Sequence, residues 1–322
     1  MTSTAARTEM DYRPLGSSGL MVSAVGIGCN AFGRRVDQDG VVSILTAARD
    51  NGVTLLDTAD IYGGEPGQSE TMLGDALQGQ RDEFVLATKF GMDMQGANGD
   101  DFGALGSRRY VRRAVEASLR RLQTDHIDLY QLHRPDPLTP IEETLEALTD
   151  LVREGKVLYI GCSNFDGWQV ADASWTSSTA GLASFVSVQN EYSLLDRSVE
   201  DEVAPACERF GLGILPFFPL AKGLLTGKYQ RGAAAPQGSR AALEADRAGW
   251  LAEADWDRVE ALQSFATQRD VDLLDVAIGG LAAQPAVTSV IAGATTAEQV
   301  TRNARAAGWQ PTAADLADLD EI

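Results

Sequence analysis

The amino-acid sequence predicts an α/β fold, a single (β/α)8 TIM barrel over residues 1–322 with an N-terminal β-hairpin and long loops at its C-terminal rim. Short apolar runs alternate eight times with segments of helical periodicity. The runs are continuously apolar, which is typical of parallel strands covered by helices on both faces. Length alone leaves either one barrel or two domains open. Eight strand–helix units favour the closed barrel.

The predicted hairpin lies in residues 15–23, where two short runs flank a Ser-Ser-Gly turn, and we expect it to plug or flank the barrel. The eight apolar runs after it are the predicted barrel strands. They cover residues 24–28, 53–56, 84–88, 127–132, 157–161, 185–188, 212–215 and 289–292.

Helices are predicted between the strands from apolar positions three or four residues apart and from cap residues such as Ser107 and Gly155. The predicted ranges are 40–51, 69–77, 108–122, 141–152, 167–174, 198–210, 255–267, 273–283 and 296–306. Two linkers, residues 90–106 and 217–250, are long and rich in Gly or Ala. Long linkers in a compact fold are usually lids or pocket walls.

A doubly wound dinucleotide-binding fold is the main structural alternative. The pattern Gly26-x-Gly28-x-x-Ala31 follows the first strand, and Asp57 ends the second, which superficially matches that fingerprint. The fingerprint requires a helix that starts at its third small residue. Residues 32–40 contain two glycines and no apolar face, so the context disfavours this fold.

Composition excludes several classes of function. The net charge of −19, from 46 acidic and 27 basic residues, argues against nucleic acid as a partner. Residues 1–11 show no basic segment leading into an apolar run, and no apolar stretch of about twenty residues occurs, so we expect a cytoplasmic protein without membrane contact. Cys29, Cys162 and Cys207 are too widely spaced for a disulfide framework or a metal site, and we expect them to be buried.

Polar side chains stand where the predicted strands end. Asp57 ends the second strand, and Tyr62 follows it in a glycine-rich loop. Lys89 and His133 end two further strands, whereas His126 precedes its strand and is expected at the opposite end of the barrel. Singly, such residues could be a helix cap, a lysine with a buried stem or a core histidine. Together on the C-terminal rim of a barrel they predict an active site.

The chemistry of these four residues predicts proton donation to a carbonyl oxygen. A phenol has a pKa near 10, and a neighbouring ammonium lowers a pKa by roughly 1–3. Lys89 could therefore adjust Tyr62. A buried lysine is costly unless it is paired, and Asp57 is the obvious partner. His133 could donate to an oxygen on which negative charge develops.

Five ordered motifs resemble the aldo-keto reductase superfamily over nearly the whole chain. They read L-L-D-T-A-D-I-Y-G, L-A-T-K-F, D-L-Y-Q-L-H-R-P-D, L-V-R-E-G-K-V-L-Y-I-G-C-S-N-F and G-L-L-T-G-K. The resemblance implies a catalytic tetrad of Asp57, Tyr62, Lys89 and His133. It also implies reduction of an aldehyde or ketone by NADPH, or by NADH, with the reverse oxidation of an alcohol, and small-molecule substrates as the partners.

The same resemblance implies that the dinucleotide lies over the barrel rim without a doubly wound domain. Ser163, Asn164 and Gln189 would hold the carboxamide, and Phe217 would stack on the nicotinamide. The residues that would contact the pyrophosphate and adenosine are Leu220, Lys222, Lys228, Arg240, Gly293, Thr295, Gln299 and Asn303. The alternative for Gln299 and Asn303 is an ordinary solvated helix face.

Departures from the family pattern and open alternatives accompany this prediction. Phe218 replaces a usual small polar residue, and the basic residue that many members place at Gly293 is absent. Phe32, Phe90 and Met92 are expected to line a partly apolar substrate pocket.

Two other functions remain open. A barrel aldolase would use an unpaired lysine as a Schiff-base amine, and a regulatory subunit would bind the dinucleotide but turn over slowly.

Overall fold

Eight parallel strands form a barrel in the computed structural model, which describes residues 10–100, 102–243 and 249–322. In chain order they are β3 (Val25–Gly28), β4 (Leu55–Asp57), β5 (Val85–Phe90), β6 (Ile127–Leu132), β7 (Val157–Ser163), β8 (Phe185–Gln189), β9 (Gly213–Ile214) and β10 (Val290–Gly293). Consecutive strands from β3 to β9 pair with one another, and β10 pairs with β3. The amide of Thr288 donates to Ile214 O at 3.0 Å, and that of Ile291 donates to Pro216 O at 2.9 Å, which joins the last strands. The predicted (β/α)8 barrel is confirmed.

Helices lie between the strands. They are α1 (Gln38–Asp50), α2 (Gln68–Ala76), α3 (Arg108–Leu122), α4 (Ile141–Arg153), α5 (Gly167–Ala180), α6 (Val203–Phe210), α7 (Arg240–Leu243), α8 (Gly249–Ala252), α9 (Trp256–Gln268), α10 (Leu273–Ala282), α11 (Ala297–Ala306) and α12 (Ala313–Asp320). Side-chain caps begin several of them, as when Ser107 accepts from Tyr110 N and Thr296 accepts from Gln299 N. Among the helices of the described ranges, none combines the length and apolarity needed to cross a membrane.

One predicted helix, residues 198–210, is interrupted. A short 3₁₀ turn at Ser198–Glu200 precedes α6, and Glu202 between them has a non-helical φ of −132°. The backbone of Glu202 packs directly on Gly167, where an added Cβ would lie 2.7 Å from Glu202 O. This contact, which local periodicity does not reveal, accompanies the break. The doubly wound alternative is wrong, because β3 leads into a loop and the next helix begins only at Gln38.

The predicted hairpin is confirmed and closes the N-terminal end of the barrel. It pairs β1 (Tyr12–Pro14) with β2 (Met21–Ser23) in antiparallel register. Its apolar side chains Leu15, Leu20 and Val22 join inward-facing residues of the strands in one buried cluster. The strand residues of that cluster are Leu55, Ala87, Leu129, Leu215 and Ile291.

The cysteines and His126 lie where the sequence analysis predicted them. The three cysteines are free and buried. His126 directly precedes β6 and lies beside Asp125, with 2.7 Å between His126 Nδ1 and Asp125 Oδ1. It therefore sits at the opposite end of β6 from His133. Most of the core lies between the strands and the surrounding helices, which leaves the C-terminal ends of the strands available to build a site.

Candidate active site

A cavity of about 450 Å³ is lined by residues that follow the C-terminal ends of the barrel strands. This volume is typical of a small-molecule site. Three members of the predicted tetrad, Asp57, Tyr62 and His133, line the cavity directly, and Lys89 lies beneath it. The structure therefore brings the four residues together.

A buried ion pair forms the floor of the site. Lys89 Nζ lies 2.8 Å from Asp57 Oδ1 and 2.7 Å from Asp57 Oδ2, and it also donates to Thr58 O at 2.9 Å. The ammonium is fully buried and the carboxylate is 3% exposed. β4 and β5 are hydrogen-bonded neighbours, so side chains at their ends meet at the barrel axis. A buried pair of this kind is stable only when its remaining hydrogen-bonding positions are satisfied.

Two side-chain amides donate hydrogen bonds to the Asp57 carboxylate. Gln189 Nε2 donates to Asp57 Oδ1 at 2.9 Å, and Gln131 Nε2 donates to the same oxygen at 3.2 Å. Burial lowers the pKa of Lys89, the charge of the Asp57 carboxylate is the main influence that raises it, and the net pKa is raised. The lysine is thus paired and charged. The aldolase alternative requires an unpaired, neutral lysine, so this geometry contradicts it.

Tyr62 stands against both charged and aromatic neighbours. Lys89 Nζ lies 5.0 Å from the centroid of the Tyr62 ring, and the His133 ring meets the Tyr62 ring edge-on with 5.9 Å between centroids. Burial raises the pKa of Tyr62, Lys89 lowers it, and the net pKa lies above 10.0. Lys89 therefore acts in the expected direction, but burial is the larger effect. The phenol is protonated at neutral pH.

The His133 imidazole is neutral at pH 7. Burial and the charges of Lys89 and Arg134 lower its pKa from 6.5 to about 3. The backbone fixes its position, because His133 N donates to Phe90 O at 2.7 Å and Asn164 Nδ2 donates to His133 O at 3.0 Å. Within the described ranges Nδ1 is buried and has no hydrogen-bond partner.

A second buried network holds the loop that carries Tyr62. Asn98 Nδ2 donates to Asp60 Oδ2 at 3.1 Å, and Arg121 Nη1 donates to Asn98 Oδ1 at 3.2 Å. Arg121 also pairs with the buried Glu70, with 2.6 Å between Arg121 Nε and Glu70 Oε2. Burial raises the pKa of Asp60 well above its usual range. The network ties the long loop after β5 to the segment before Tyr62.

The amides at the ends of β7 and β8 form one hydrogen-bonded group. Ser163 Oγ donates to Gln189 O at 2.7 Å, and Asn164 Nδ2 donates to Ser163 Oγ at 3.0 Å. Asn164 has a φ of +58°, an uncommon backbone conformation that asparagine tolerates better than most residues. Among the described hydrogen bonds, the side-chain oxygens of Asn164 and Gln189 accept none. They are acceptors available to a ligand.

The other predicted cofactor residues line the outer part of the same cavity. These are Phe217, Leu220, Lys222, Lys228, Arg240, Gly293, Thr295, Gln299 and Asn303. Gln299 Oε1 accepts from Thr295 N at 2.8 Å, so it braces the turn into α11. Asn303 is 7% exposed and does not belong to an ordinary solvated face. Phe218 lines the cavity beneath the guanidinium of Arg240, which lies 5.4 Å from the ring centroid.

The predicted substrate pocket requires correction. Phe90 is completely buried and stacks on Tyr130 at a centroid distance of 4.6 Å, and Phe32 is also completely buried in the core. Neither lines the cavity, because Phe90 at the end of β5 and Phe32 in the loop after β3 both pack into the surrounding core. Met92 is half-buried outside the cavity lining, and its carbonyl accepts from Tyr110 Oη at 3.4 Å.

Sequence reasoning missed several residues of the site. Gln131 holds Asp57, and alternation along β6 could have found it, since residues 131 and 133 face the same way. Arg35, Arg134 and Arg302 line the cavity, although no sequence pattern separated them from surface arginines. Arg134 adjoins His133, which was the one available signal.

The chain belongs to the aldo/keto reductase family, whose model matches residues 24–322. Family membership, together with the enzyme names of similar proteins given below, supports a general oxidoreductase role. Members of the family generally use nicotinamide cofactors and small carbonyl substrates.

Similar proteins carry both enzymatic and regulatory names. The chain is 39% identical to "Uncharacterized oxidoreductase YrpG" of Bacillus subtilis (strain 168), over 90% of this chain and 89% of that protein. It is 36% identical to "Probable voltage-gated potassium channel subunit beta" of Oryza sativa subsp. japonica, over 92% and 91%. It is 34% identical to "L-glyceraldehyde 3-phosphate reductase" of Escherichia coli (strain K12), over 92% and 88%.

Proposed function

We propose that the protein transfers a hydride between NADPH, or NADH, and an aldehyde or ketone, and that it oxidises the corresponding alcohol in reverse. One observation carries the proposal. A protonated phenol, Tyr62, stands beside the Lys89–Asp57 ion pair and a neutral histidine on one wall of a cavity whose other end is rich in cationic side chains. This is the donor set that carbonyl reduction requires.

The cavity suits a nicotinamide dinucleotide. The free amide oxygens of Asn164 and Gln189 can accept from a carboxamide, and Phe217 offers an aromatic face. Lys222, Lys228, Arg240 and Arg302 would offset the phosphates, to which the N-terminal end of α11 also offers backbone N–H groups. When bound, the nicotinamide supplies or accepts the hydride.

Tyr62 is the proposed general acid. Its raised pKa keeps the proton on the phenol until negative charge develops on the substrate oxygen. The Lys89 ammonium then stabilises the phenolate left after proton donation, because opposite charges a few ångströms apart favour the ionised form. Asp57 keeps Lys89 charged and fixed in place.

His133 is proposed to orient the substrate carbonyl. A neutral imidazole carries one proton, and a buried N–H without an acceptor is more costly than a buried lone pair. Because Nδ1 has no partner among the described residues, the proton belongs on Nε2. From there it can donate to the carbonyl oxygen without becoming a competing acid at neutral pH.

A regulatory subunit that binds the dinucleotide and turns over slowly is the second candidate. The similarity to plant proteins named as probable potassium channel beta subunits supports it. The complete set of Asp57, Tyr62, Lys89 and His133 in one site favours the enzyme instead. Tight dinucleotide binding with slow consumption across a broad carbonyl panel would favour the subunit.

The decisive experiment compares Tyr62→Phe with the wild type on a panel of aldehydes and ketones, followed by NADPH absorbance. Loss of the phenolic proton should lower turnover by at least about a hundredfold, the usual scale for a general acid, while dinucleotide binding survives. Tyr130→Phe is the matched control, since the Tyr130 hydroxyl is buried and has no partner among the described residues. Unchanged turnover in Tyr62→Phe would refute the assigned role.

Two further predictions from the sequence belong to this proposal. The chain is proposed to act as one domain over residues 1–322, which limited proteolysis would test. A cytoplasmic location also stays a prediction, and cell fractionation with immunodetection would test it.

A further inference from the structure

The charge of the cavity is opposite to that of the whole chain. The net charge of the protein is −19, yet Asp57 is the only carboxylate among the described residues that line the cavity, and Lys89 neutralises it. Six lining residues are cationic, namely Arg35, Arg134, Lys222, Lys228, Arg240 and Arg302. Cationic clefts in an acidic protein concentrate anions at the site.

These cationic residues fall into two groups around the barrel. Lys222, Lys228, Arg240 and Arg302 follow β9 and β10, in the part proposed for the dinucleotide. Arg35 follows β3 and Arg134 follows β6. In barrel order β3 and β6 flank β4 and β5, the strands that supply Asp57 and Lys89 and lead to Tyr62. The second group therefore belongs to the side of the barrel that carries the chemistry.

Arg134 is available to a ligand. The exposed Arg134 side chain forms no hydrogen bond or ion pair with any residue in the described ranges. It adjoins His133 in the chain, and its charge is felt at the His133 imidazole. A substrate whose carbonyl contacts Tyr62 and His133 would thus have a guanidinium nearby.

We infer that the substrate is an aldehyde or ketone that also carries an oxyanion, either a carboxylate or a phosphate, and that Arg134 binds this oxyanion. This inference rests on the proposed carbonyl reduction and narrows its substrate class. Guanidinium binds planar or tetrahedral oxyanions through two parallel N–H donors, which fixes orientation as well as charge. Arg134 would act as a specificity residue, while Tyr62 performs the proton transfer.

The test uses pairs of aldehydes that differ in charge. 4-Carboxybenzaldehyde is compared with its neutral methyl ester, and 4-formylphenyl phosphate with 4-methoxybenzaldehyde. The wild type should show kcat/KM at least about tenfold higher for the charged member of one or both pairs, since charged hydrogen bonds are the strong ones. The pair with the larger ratio identifies carboxylate or phosphate as the preferred group.

Three variants locate the effect. Arg134→Gln should lower the charged-to-neutral ratio by at least about tenfold, whereas Arg134→Lys should lower it less, because lysine keeps the charge but not the paired donors. Arg109→Gln, on the exposed surface of α3, removes the same charge away from the cavity and should keep the wild-type ratio. Thermal unfolding of each variant checks that the fold is intact.

Two results would overturn the inference alone. One is a wild-type ratio near one for both pairs, with the neutral aldehydes reduced. The other is a ratio that Arg134→Gln leaves unchanged, or that Arg109→Gln lowers equally. If the wild type reduces no aldehyde with NADPH or NADH, the proposed function and this inference both fail.

Discussion

Lys89 Nζ lies within 2.8 Å of both carboxylate oxygens of Asp57, on adjacent strands of the barrel and almost completely shielded from solvent. The pair holds one positive and one negative charge directly below Tyr62. The pair therefore contributes both to the stability of the fold and to the proposed proton transfer, and mutations can separate these two contributions.

Breaking the pair should cost more than removing it. Asp57→Asn leaves an uncompensated buried ammonium and should lower the free energy of unfolding by about 3–5 kcal/mol. Asp57→Asn combined with Lys89→Met should recover much of that loss but no turnover. Urea unfolding followed by circular dichroism measures both variants. Arg231→Gln, which breaks two exposed ion pairs, is the control and should leave the midpoint close to the wild-type value. A double variant less stable than Asp57→Asn would contradict this account.

His133 should make the protein less stable in acid. Its pKa falls from 6.5 in the unfolded chain to about 3 on folding, so between these values the unfolded state binds a proton that the native state lacks. Stability is therefore lost as the pH drops below about 6.5. His133→Gln removes this contribution, and its stability relative to wild type should improve from pH 7.5 to pH 5. Urea midpoints at both values measure the change, and the difference should stay constant between pH 7.5 and 8.5.

Gly293→Lys should shift dinucleotide binding towards NADPH. An added Cβ at Gly293 meets no atom within 4 Å, and the residue lines the outer cavity beside the start of α11. A lysine there would add a cation near the proposed adenosine end, and the Kd for NADPH should fall at least about threefold relative to that for NADH. Fluorescence titration measures both constants. Gly293→Gln, similar in size but uncharged, should not change their ratio. If the Kd values for NADPH and NADH fall equally, the phosphate that NADPH has and NADH lacks does not lie near residue 293.

Leu15→Ala tests the contribution of the hairpin. Leu15 is fully buried against the inner face of the barrel, and truncation of such a leucine costs about 2–5 kcal/mol. Chemical denaturation should show a loss of this size. Leu138→Ala, at a position that is 64% exposed, serves as the control and should change stability by less than about 0.5 kcal/mol. Similar losses in both variants would argue against the plug.

The sequence predicted the barrel because its strands are buried on both faces and therefore appear as continuous apolar runs. The same logic placed Asp57, Lys89 and His133 on one rim, since parallel strands end at the same side. The prediction that Phe90 lines the substrate pocket was wrong, although the alternation of side chains along β5 contained the answer. Lys89 faces the barrel axis, so the next residue must face the helices.

Long-range packing explains what else could not be predicted. The break before α6 accompanies a contact between Glu202 and Gly167, residues far apart in sequence. The raised pKa of Tyr62 depends on how deeply the phenol is buried, and neighbouring residue types do not determine that depth. Arg134 is distinguished from ordinary surface arginines by its place on the cavity.

The hairpin at the N-terminal end of the barrel also constrains molecular traffic. Because Leu15, Leu20 and Val22 close that end of the barrel, the cavity at Tyr62 is approached from the rim where the strands end. In the proposed reaction, substrate and product would both pass this rim.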